Sequence, residues 1–375
     1  MKKTINVLLI FYMLLMTVYL STHQYYNADI EAYMGIVYKT VYPNMSVDEI
    51  HKKVYDELRE KKPERLQFDS KKDVDAVGDS KYYKILSENS KAYGEELQLF
   101  TVKPFYNFVN SIFFRIGFSA SASTYIVTII SYILIVLLLY IFLLKIVENQ
   151  ILSFFITVLL SLFKPLLDAS RHATPDVLAC FLLLLSFYFV IIRRNLFIST
   201  IIGMLCIFTR PDYFIFYFFC ILLLFVFRKN VKLKTLELFF ALVYFFLSFA
   251  LIQYFNQISW SVLFMNQFTK VQIFPISHPD LFNFSDYISC IKSKILLEFN
   301  SSYFILLLVF VVLIMAKKYT KVPKDEFIFY ISFLFVIYLT VFIRFFIFPS
   351  LVNRMMLGYY LLIILSLIHF QYRKN

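Results

Sequence analysis

The sequence predicts an all-α polytopic membrane protein with about ten transmembrane helices and a long external first loop that carries amphipathic helices. Hydrophobic residues make up 60% of the chain, aromatic residues 20%, and the mean hydropathy is +0.70. Charged residues make up only 17%, against about 25% in ordinary soluble domains. A soluble fold has too little interior for so many apolar side chains, so the excess is expected to face lipid.

The first apolar run, Ile5–Leu20, follows a short basic start. Because Ser21–Tyr25 contain no small-x-small cleavage pattern, we expect an uncleaved first helix rather than a signal peptide. Residues 23–120 then form the external first loop. Within it, Ser46-Val47-Asp48-Glu49 is typical of a capping box and predicts a helix over Val47–Lys61.

The segment Pro104–Phe118 mixes polar and aromatic residues and predicts a helix that lies at the membrane interface. A second external loop is predicted at 256–300. The whole chain, 1–375, is thus expected to form a single integral membrane domain. The remaining predicted spans are the apolar runs at 122–146, 151–167, 176–192, 196–209, 212–227, 236–255, 302–316, 326–345 and 352–370.

Basic residues recur at every second boundary between these runs, as the positive-inside rule requires of cytoplasmic loops. This pattern predicts a protein of the cytoplasmic (inner) membrane, with both termini in the cytoplasm and the site facing the outside or periplasm. The boundaries assigned to the cytoplasm carry Lys145, Arg193, Arg194, Arg228, Lys229, Lys232, Lys234, Lys317, Lys318, Lys321, Lys324, Arg373 and Lys374.

Several classes of function are excluded by composition and motif. The net charge of +12 belongs mainly to short loops, so it predicts helix orientation rather than nucleic-acid binding. The four cysteines show no metal-ligand or disulfide spacing. Neither a phosphate-binding glycine loop nor a G-x-S-x-G hydrolase motif occurs in the chain.

Ionisable residues cluster at the boundaries assigned to the outer face, where charge at membrane depth usually marks a site. Because four clusters share one face, we expect them to line a common polar cavity. The candidates are Asp29 and Glu31 after the first helix, Arg171, His172 and Asp176 before the run at 176–192, Arg210 and Asp212 before the run at 212–227, and Arg344 and Arg354 around the start of the last span.

Each cluster also has a simpler interpretation. Asp29 and Glu31 are either a general base and its partner, a possible divalent-cation site, or a solvated loop start. Asp176 and Asp212 also complement helix dipoles. Arg344 and Arg354 violate the positive-inside pattern, which indicates either an external anionic ligand or snorkelling to lipid headgroups.

In order and sidedness, these features resemble the GT-C superfamily of membrane glycosyltransferases, in the branch of protein O-mannosyltransferases and aminoarabinose transferases. The resemblance rests on the acidic pair after the first helix, the interfacial segment Lys103–Phe108, and the stretch Ser170–Ala179 with its Arg-x-x-x-Pro-Asp pattern. It departs from the family in spacing its acids as D-x-E rather than as an adjacent pair.

The resemblance implies an inverting transfer of a sugar from a polyprenyl-phosphate donor to a glycan, lipid or protein acceptor at the outer membrane face. It makes Asp29 and Glu31 catalytic, with Arg171, His172, Arg210 and Arg354 binding the donor phosphate. Asp176, Asp212 and Arg344 would support them. The alternatives are a polysaccharide polymerase or ligase, and a flippase or transporter of lipid-linked sugars.

Overall fold

The computed structural model describes residues 2–66, 80–231, 233–256, 258–318 and 323–372, and the regular elements within these ranges are helices. Of the basic residues predicted to orient the chain, Lys232, Lys321, Arg373 and Lys374 lie outside the described ranges. The apolar runs of the sequence all become helices, within a few residues of their predicted ends.

The N-terminal third contains one long apolar helix and five shorter ones. The predicted helix Val47–Lys61 is confirmed with its capping box: the Ser46 hydroxyl accepts from the Glu49 amide at 3.3 Å, and the Glu49 carboxylate accepts from the Ser46 amide at 3.0 Å. These helices are α1 (Lys2–Thr22), α2 (Ala28–Val41), α3 (Val47–Lys61), α4 (Ser80–Glu88), α5 (Ser90–Leu99) and α6 (Pro104–Arg115), with a 3₁₀ turn at Pro63–Leu66.

The middle of the chain forms the centre of the bundle. The helix that begins at Asp176 packs against the helices before and after it and against the last helix of the chain. The helices of this part are α7 (Ala120–Val147), α8 (Gln150–Ser161), α9 (Lys164–Ser170), α10 (Asp176–Ile191), α11 (Leu196–Thr209), α12 (Tyr213–Val226), α13 (Arg228–Val231) and α14 (Thr235–Phe255).

The C-terminal part closes the bundle, and its last helix packs against α7, α9 and α10. The predicted external loop at 256–300 is largely helical, because two helices occupy most of it. The helices of this part are α15 (Trp260–Phe268), α16 (Phe284–Ser301), α17 (Phe304–Lys318), α18 (Lys324–Ile347) and α19 (Asn353–Tyr372).

By length and hydropathy, five described helices are able to cross a membrane: α1, α7, α14, α18 and α19. Two bent pairs, α8 with α9 and α16 with α17, raise the number to seven if each pair is one span. The structure therefore supports a multi-pass membrane protein, whereas the predicted count of ten spans is not confirmed. The difference arises because α10, α11 and α12 have only 16, 14 and 14 residues.

Helix α2 was not predicted, and it is unusually enclosed for a helix of 14 residues. Every residue from Ile30 to Val37 is buried, and α3, α5, α6 and α7 surround it. Gly35 permits the closest approach, since a Cβ atom there would collide with the Tyr93 ring and with Leu97. The enclosure fixes the position of the first turn of α2, which carries Asp29 and Glu31.

Candidate functional site

Six charged side chains of alternating sign form one connected series, which we call the charge chain. Arg354 Nη2 lies 2.8 Å from Asp29 Oδ2, and its Nε lies 3.7 Å from Asp176 Oδ2. Asp176 also binds Arg210. Arg210 Nη2 lies 3.0 Å from Asp212 Oδ2, and the same oxygen lies 2.7 Å from Arg344 Nε. The order is Asp29, Arg354, Asp176, Arg210, Asp212 and Arg344.

Helix ends bring these six residues together from distant parts of the sequence. Asp29 lies in the first turn of α2, and Asp176 is the first residue of α10. Arg210 and Asp212 occupy the turn between α11 and α12. Arg344 and Arg354 lie at the end of α18 and the start of α19. The structure thus joins Asp29, Arg210 and Arg354 to all three predicted supporting residues through ion pairs. The predicted polar cavity that they would line remains a prediction.

The charge chain is most exposed at one end. The Asp29 and Arg354 side chains are 25% and 24% exposed, whereas those of Asp176 and Arg344 are only 4% and 2% exposed. Asp212 is also 22% exposed, but the two arginines that it binds are buried. We call the end formed by Asp29 and Arg354 the open end. At the other end of the charge chain, Arg344 Nη1 donates to the Ser350 carbonyl at 2.6 Å. This hydrogen bond holds the guanidinium in place.

The charge chain contains three carboxylates and three guanidinium groups, so its formal charges cancel. Ionised groups at membrane depth are tolerated when they are paired and hydrogen-bonded. The Thr174 hydroxyl adds a hydrogen bond of 2.9 Å to Asp176. Pairing explains how the buried part of the series remains charged, and it leaves the open end as the part able to exchange partners with a ligand.

Lys103 adds a further positive charge near the open end. Its Nζ donates to the Tyr33 hydroxyl at 2.6 Å and lies over the Tyr33 and Phe100 rings. Burial lowers the pKa of Lys103 to about 8, with Asp29 opposing the shift and Arg210 and Arg354 contributing to it. Sequence reasoning placed Lys103 in an interfacial segment but gave it no role, although it is one more basic residue on the face assigned to the outside.

Arg171 lies outside the charge chain. Its Nε donates to the His23 carbonyl at 2.8 Å, and its own carbonyl accepts from the Tyr25 amide at 2.8 Å. These bonds fasten the segment after α1 to the loop before α10. The predicted contact of Arg171 with a donor phosphate therefore remains a prediction, and the structure gives this side chain a structural partner.

His172 is within the electrostatic influence of the open end, since the charges of Arg354 and Asp29 both act on it. Its Nδ1 is 2.7 Å from the Asp168 carbonyl oxygen, and its ring lies 4.9 Å from that of Tyr25. Burial lowers the pKa of His172; the Asp168 hydrogen bond opposes this, and Arg354 lowers it further. A neutral imidazole at neutral pH suits a hydrogen-bonding role better than a charge-pairing one.

Glu31 and Asp29 point in different directions, because residues two positions apart on an α-helix differ by about 200° around its axis. The Tyr55 hydroxyl donates to Glu31 Oε2 at 3.4 Å, and the Glu31 side chain is buried between helices. Asp29 instead accepts from Asn27 at 2.8 Å and from Arg354. The two acids therefore form no chelating pair, and no group of three His, Cys, Asp or Glu side chains suited to a metal occurs in the described ranges.

An apolar groove of about 360 Å³ lies at the helix ends that carry Lys103 and Arg210, and we call it the outer groove. It runs between the start of α6 and the ends of α11 and α14. Some of its wall residues are close in sequence to two cations. Val102 and Pro104 flank Lys103, and Phe208 lies two positions before Arg210. The other main lining residues are Phe105, Leu251 and Phe255.

Neither a protein-family model, a characterised protein nor a solved structure matches this chain. The arrangement of charges, exposure and apolar surface described above is therefore the basis for any assignment of function.

Proposed function

We propose that this protein is a glycosyltransferase that moves a sugar from a polyprenyl-phosphate donor to an acceptor at the outer face of the cytoplasmic membrane. The observation that carries the proposal is the open end of the charge chain. A carboxylate and a guanidinium are paired there, and the charges of both act on Lys103. The two sequence neighbours of Lys103 line an apolar groove. A lipid-linked donor needs this combination, since its phosphate is anionic and its tail is a hydrocarbon.

Arg354 and Lys103 are the proposed partners of the donor phosphate. Arginine binds phosphate oxygens through paired N–H donors, and lysine adds a compact positive charge. The outer groove accommodates the first isoprene units, and the remainder of the tail stays in lipid. Nucleotide motifs are not needed for such a donor, which agrees with their absence from the sequence.

Asp29 is the proposed general base. It removes the proton of an acceptor hydroxyl, whose oxygen then attacks the anomeric carbon from the side opposite the phosphate. The bond between that carbon and the phosphate oxygen breaks, and its electron pair leaves with the polyprenyl phosphate. Arg354 and Lys103 stabilise the departing anion. The product has the inverted anomeric configuration.

The pairing of Asp29 with Arg354 links donor binding to base activation. In the free protein, Arg354 Nη2 binds Asp29 Oδ2 at 2.8 Å. A donor phosphate competes for the same guanidinium and weakens that ion pair, so the Asp29 carboxylate becomes free to accept a hydrogen bond from the acceptor hydroxyl. The rest of the charge chain holds Arg354 through Asp176, and Arg210 and Arg344 act as positioning residues.

Replacing Arg354 by glutamine is expected to weaken donor binding by roughly 10–100-fold, because charge-assisted hydrogen bonds contribute about 1.5–3 kcal/mol. Binding of undecaprenyl phosphate to the purified protein in detergent measures this directly. Arg171→Gln is the matched variant, since Arg171 belongs to the same face but binds the His23 carbonyl. Unchanged affinity in Arg354→Gln would contradict the proposal, and a loss only in Arg171→Gln would move the phosphate to that residue.

Donor affinity is also expected to fall as pH rises from 7 to 9.5. The pKa of Lys103 is lowered to about 8, so its ammonium loses the proton within this range. The donor phosphate is a diester whose single ionisation is complete far below pH 7, so its charge does not change in this range. In Lys103→Arg the side chain stays charged, and the affinity should stay level across the range. An equal decline in both proteins would remove Lys103 from the phosphate site.

A further inference from the structure

A second cavity, of about 470 Å³, lies at the opposite end of the bundle from the charge chain. It is enclosed by the far ends of α10, α11, α12, α18 and α19. It is larger than the outer groove, and the proposed transfer reaction makes no use of it. We call it the inner cavity.

The polar groups on the wall of the inner cavity are largely bonded to one another. The Ser186 and Ser199 hydroxyls lie 2.9 Å apart, and the Thr200 hydroxyl donates to the Leu196 carbonyl at 2.8 Å. Most of the remaining wall is aromatic or aliphatic, with Leu224 among its members. The interior therefore favours hydrocarbon over a polar ligand.

The mouth of the inner cavity carries charge of both signs. Arg194, Asp325 and Glu326 line it, and none of the ion pairs found among the described residues engages Arg194 or Asp325. Farther along the wall, His369 Nδ1 is hydrogen-bonded to the Tyr330 hydroxyl. A guanidinium beside carboxylates complements a headgroup that has one phosphate and one ammonium.

The depth of the cavity matches a lipid chain. Along α18 the lining extends from Asp325 to Phe333, and the eight steps between these residues correspond to about 12 Å of helix. Half of a hydrocarbon core of about 30 Å is close to this length. A single acyl chain inserted from the nearer leaflet would therefore fill the cavity from mouth to inner end.

An aromatic layer separates the inner cavity from the charge chain. The Tyr213 and Tyr359 rings lie 5.3 Å apart, and Phe216 contacts both Tyr359, at 5.4 Å, and Phe187, at 5.6 Å. The layer is tightly packed even at Gly358, since a Cβ atom there would lie only 2.5 Å from the Tyr213 hydroxyl. The two sites are consequently independent in this conformation.

We propose that the inner cavity is a binding site for one acyl chain of a phosphoethanolamine lipid from the leaflet predicted to be cytoplasmic. Its phosphate binds Arg194, its ammonium binds Asp325 and Glu326, and its chain occupies the apolar interior. This site goes beyond the proposed transfer activity and does not depend on it. It gives the bundle a lipid ligand on the face away from the charge chain.

The probe for this proposal is lysophosphatidylethanolamine with a 16-carbon chain, added to the purified full-length protein and detected by native mass spectrometry. One retained molecule per chain is expected. Leu224→Trp should reduce retention at least tenfold, because the larger indole takes up part of the space that the acyl chain needs. Leu222→Trp is the matched control, since Leu222 belongs to the same helix but is 40% exposed and does not line the cavity. Equal retention in both variants would overturn the proposal.

The headgroup assignment has its own comparison. Arg194→Gln should weaken retention about fivefold or more, whereas Arg193→Gln, which changes a neighbouring arginine outside the lining, should not. Lysophosphatidylglycerol lacks the ammonium and should bind at least fivefold more weakly. Equal retention of both lipids, or equal effects of both arginine variants, would contradict the headgroup assignment. Asp29→Asn should retain the probe, which separates this result from any failure of the transferase proposal.

Discussion

Asp29→Asn is expected to lower sugar transfer by roughly 100–10,000-fold, the usual contribution of a general base. Asparagine keeps the size of the side chain and a hydrogen bond to Arg354, so donor binding should persist. The measurement is mass spectrometry of envelope glycans and lipid-linked sugars. The product of the reaction is the glycan that is present in wild-type cells and missing from cells that lack the protein. Its amount in cells that carry the variant is then compared with the wild-type amount.

Asp168→Asn is the matched control for this experiment. Asp168 lies on the same face and is partly buried, but its contact with His172 uses the backbone carbonyl rather than the carboxylate. Wild-type product levels in Asp29→Asn would overturn the role of Asp29 as base. Normal movement of lipid-linked sugar across the membrane, without any dependent transfer product in the wild type, would favour the flippase instead.

Arg344→Met is expected to destabilise the protein by about 3–5 kcal/mol, the usual cost of removing one partner from a buried ion pair. Arg344 is 2% exposed and binds both Asp212 and the Ser350 carbonyl. Its removal leaves Asp212 with Arg210 alone and leaves a buried carbonyl unpaired. Unfolding in mixed micelles, followed by circular dichroism against denaturant, measures the loss.

The control for Arg344 is an ion pair at the surface. Arg59 binds Asp56 at 2.7 Å with both side chains more than half exposed, and such pairs contribute about 0–1 kcal/mol. Arg59→Met should therefore change stability little. The double variant Arg344→Met with Asp212→Asn should recover part of the loss, because it removes the excess negative charge that Arg344→Met leaves in the charge chain. Similar stabilities for Arg344→Met and Arg59→Met would show that the charge chain does not stabilise the fold.

The sequence predicted the helical elements well where one local signal decides them. The run at 196–209 corresponds to helix Leu196–Thr209, and the Ser46 capping box fixed the start of Val47–Lys61. Apolar length and capping act within a few residues, so they can be read without knowing the neighbours in space. The number of spans was less predictable, because bends between α8 and α9 and between α16 and α17 depend on packing.

The members of the charge chain were all candidates from the sequence, whereas the candidates Glu31, Arg171 and His172 lie outside it. Sidedness alone grouped Asp29, Arg210 and Arg354, which the structure joins through Asp176. The enclosure of α2 could not be predicted from the sequence, because four other helices surround it. For the same reason the sequence did not indicate that Glu31 points toward Tyr55.

The short helices beside the charge chain have a consequence for the host membrane. Helices α11 and α12 are 14 residues each, or about 21 Å, and both present large apolar side chains to their surroundings, such as Phe197 and Val226. A bilayer crossed by α11 and α12 would have to thin locally to match them, whereas it would not beside the 28-residue α7. The hydrophobic mismatch would then be uneven around the protein.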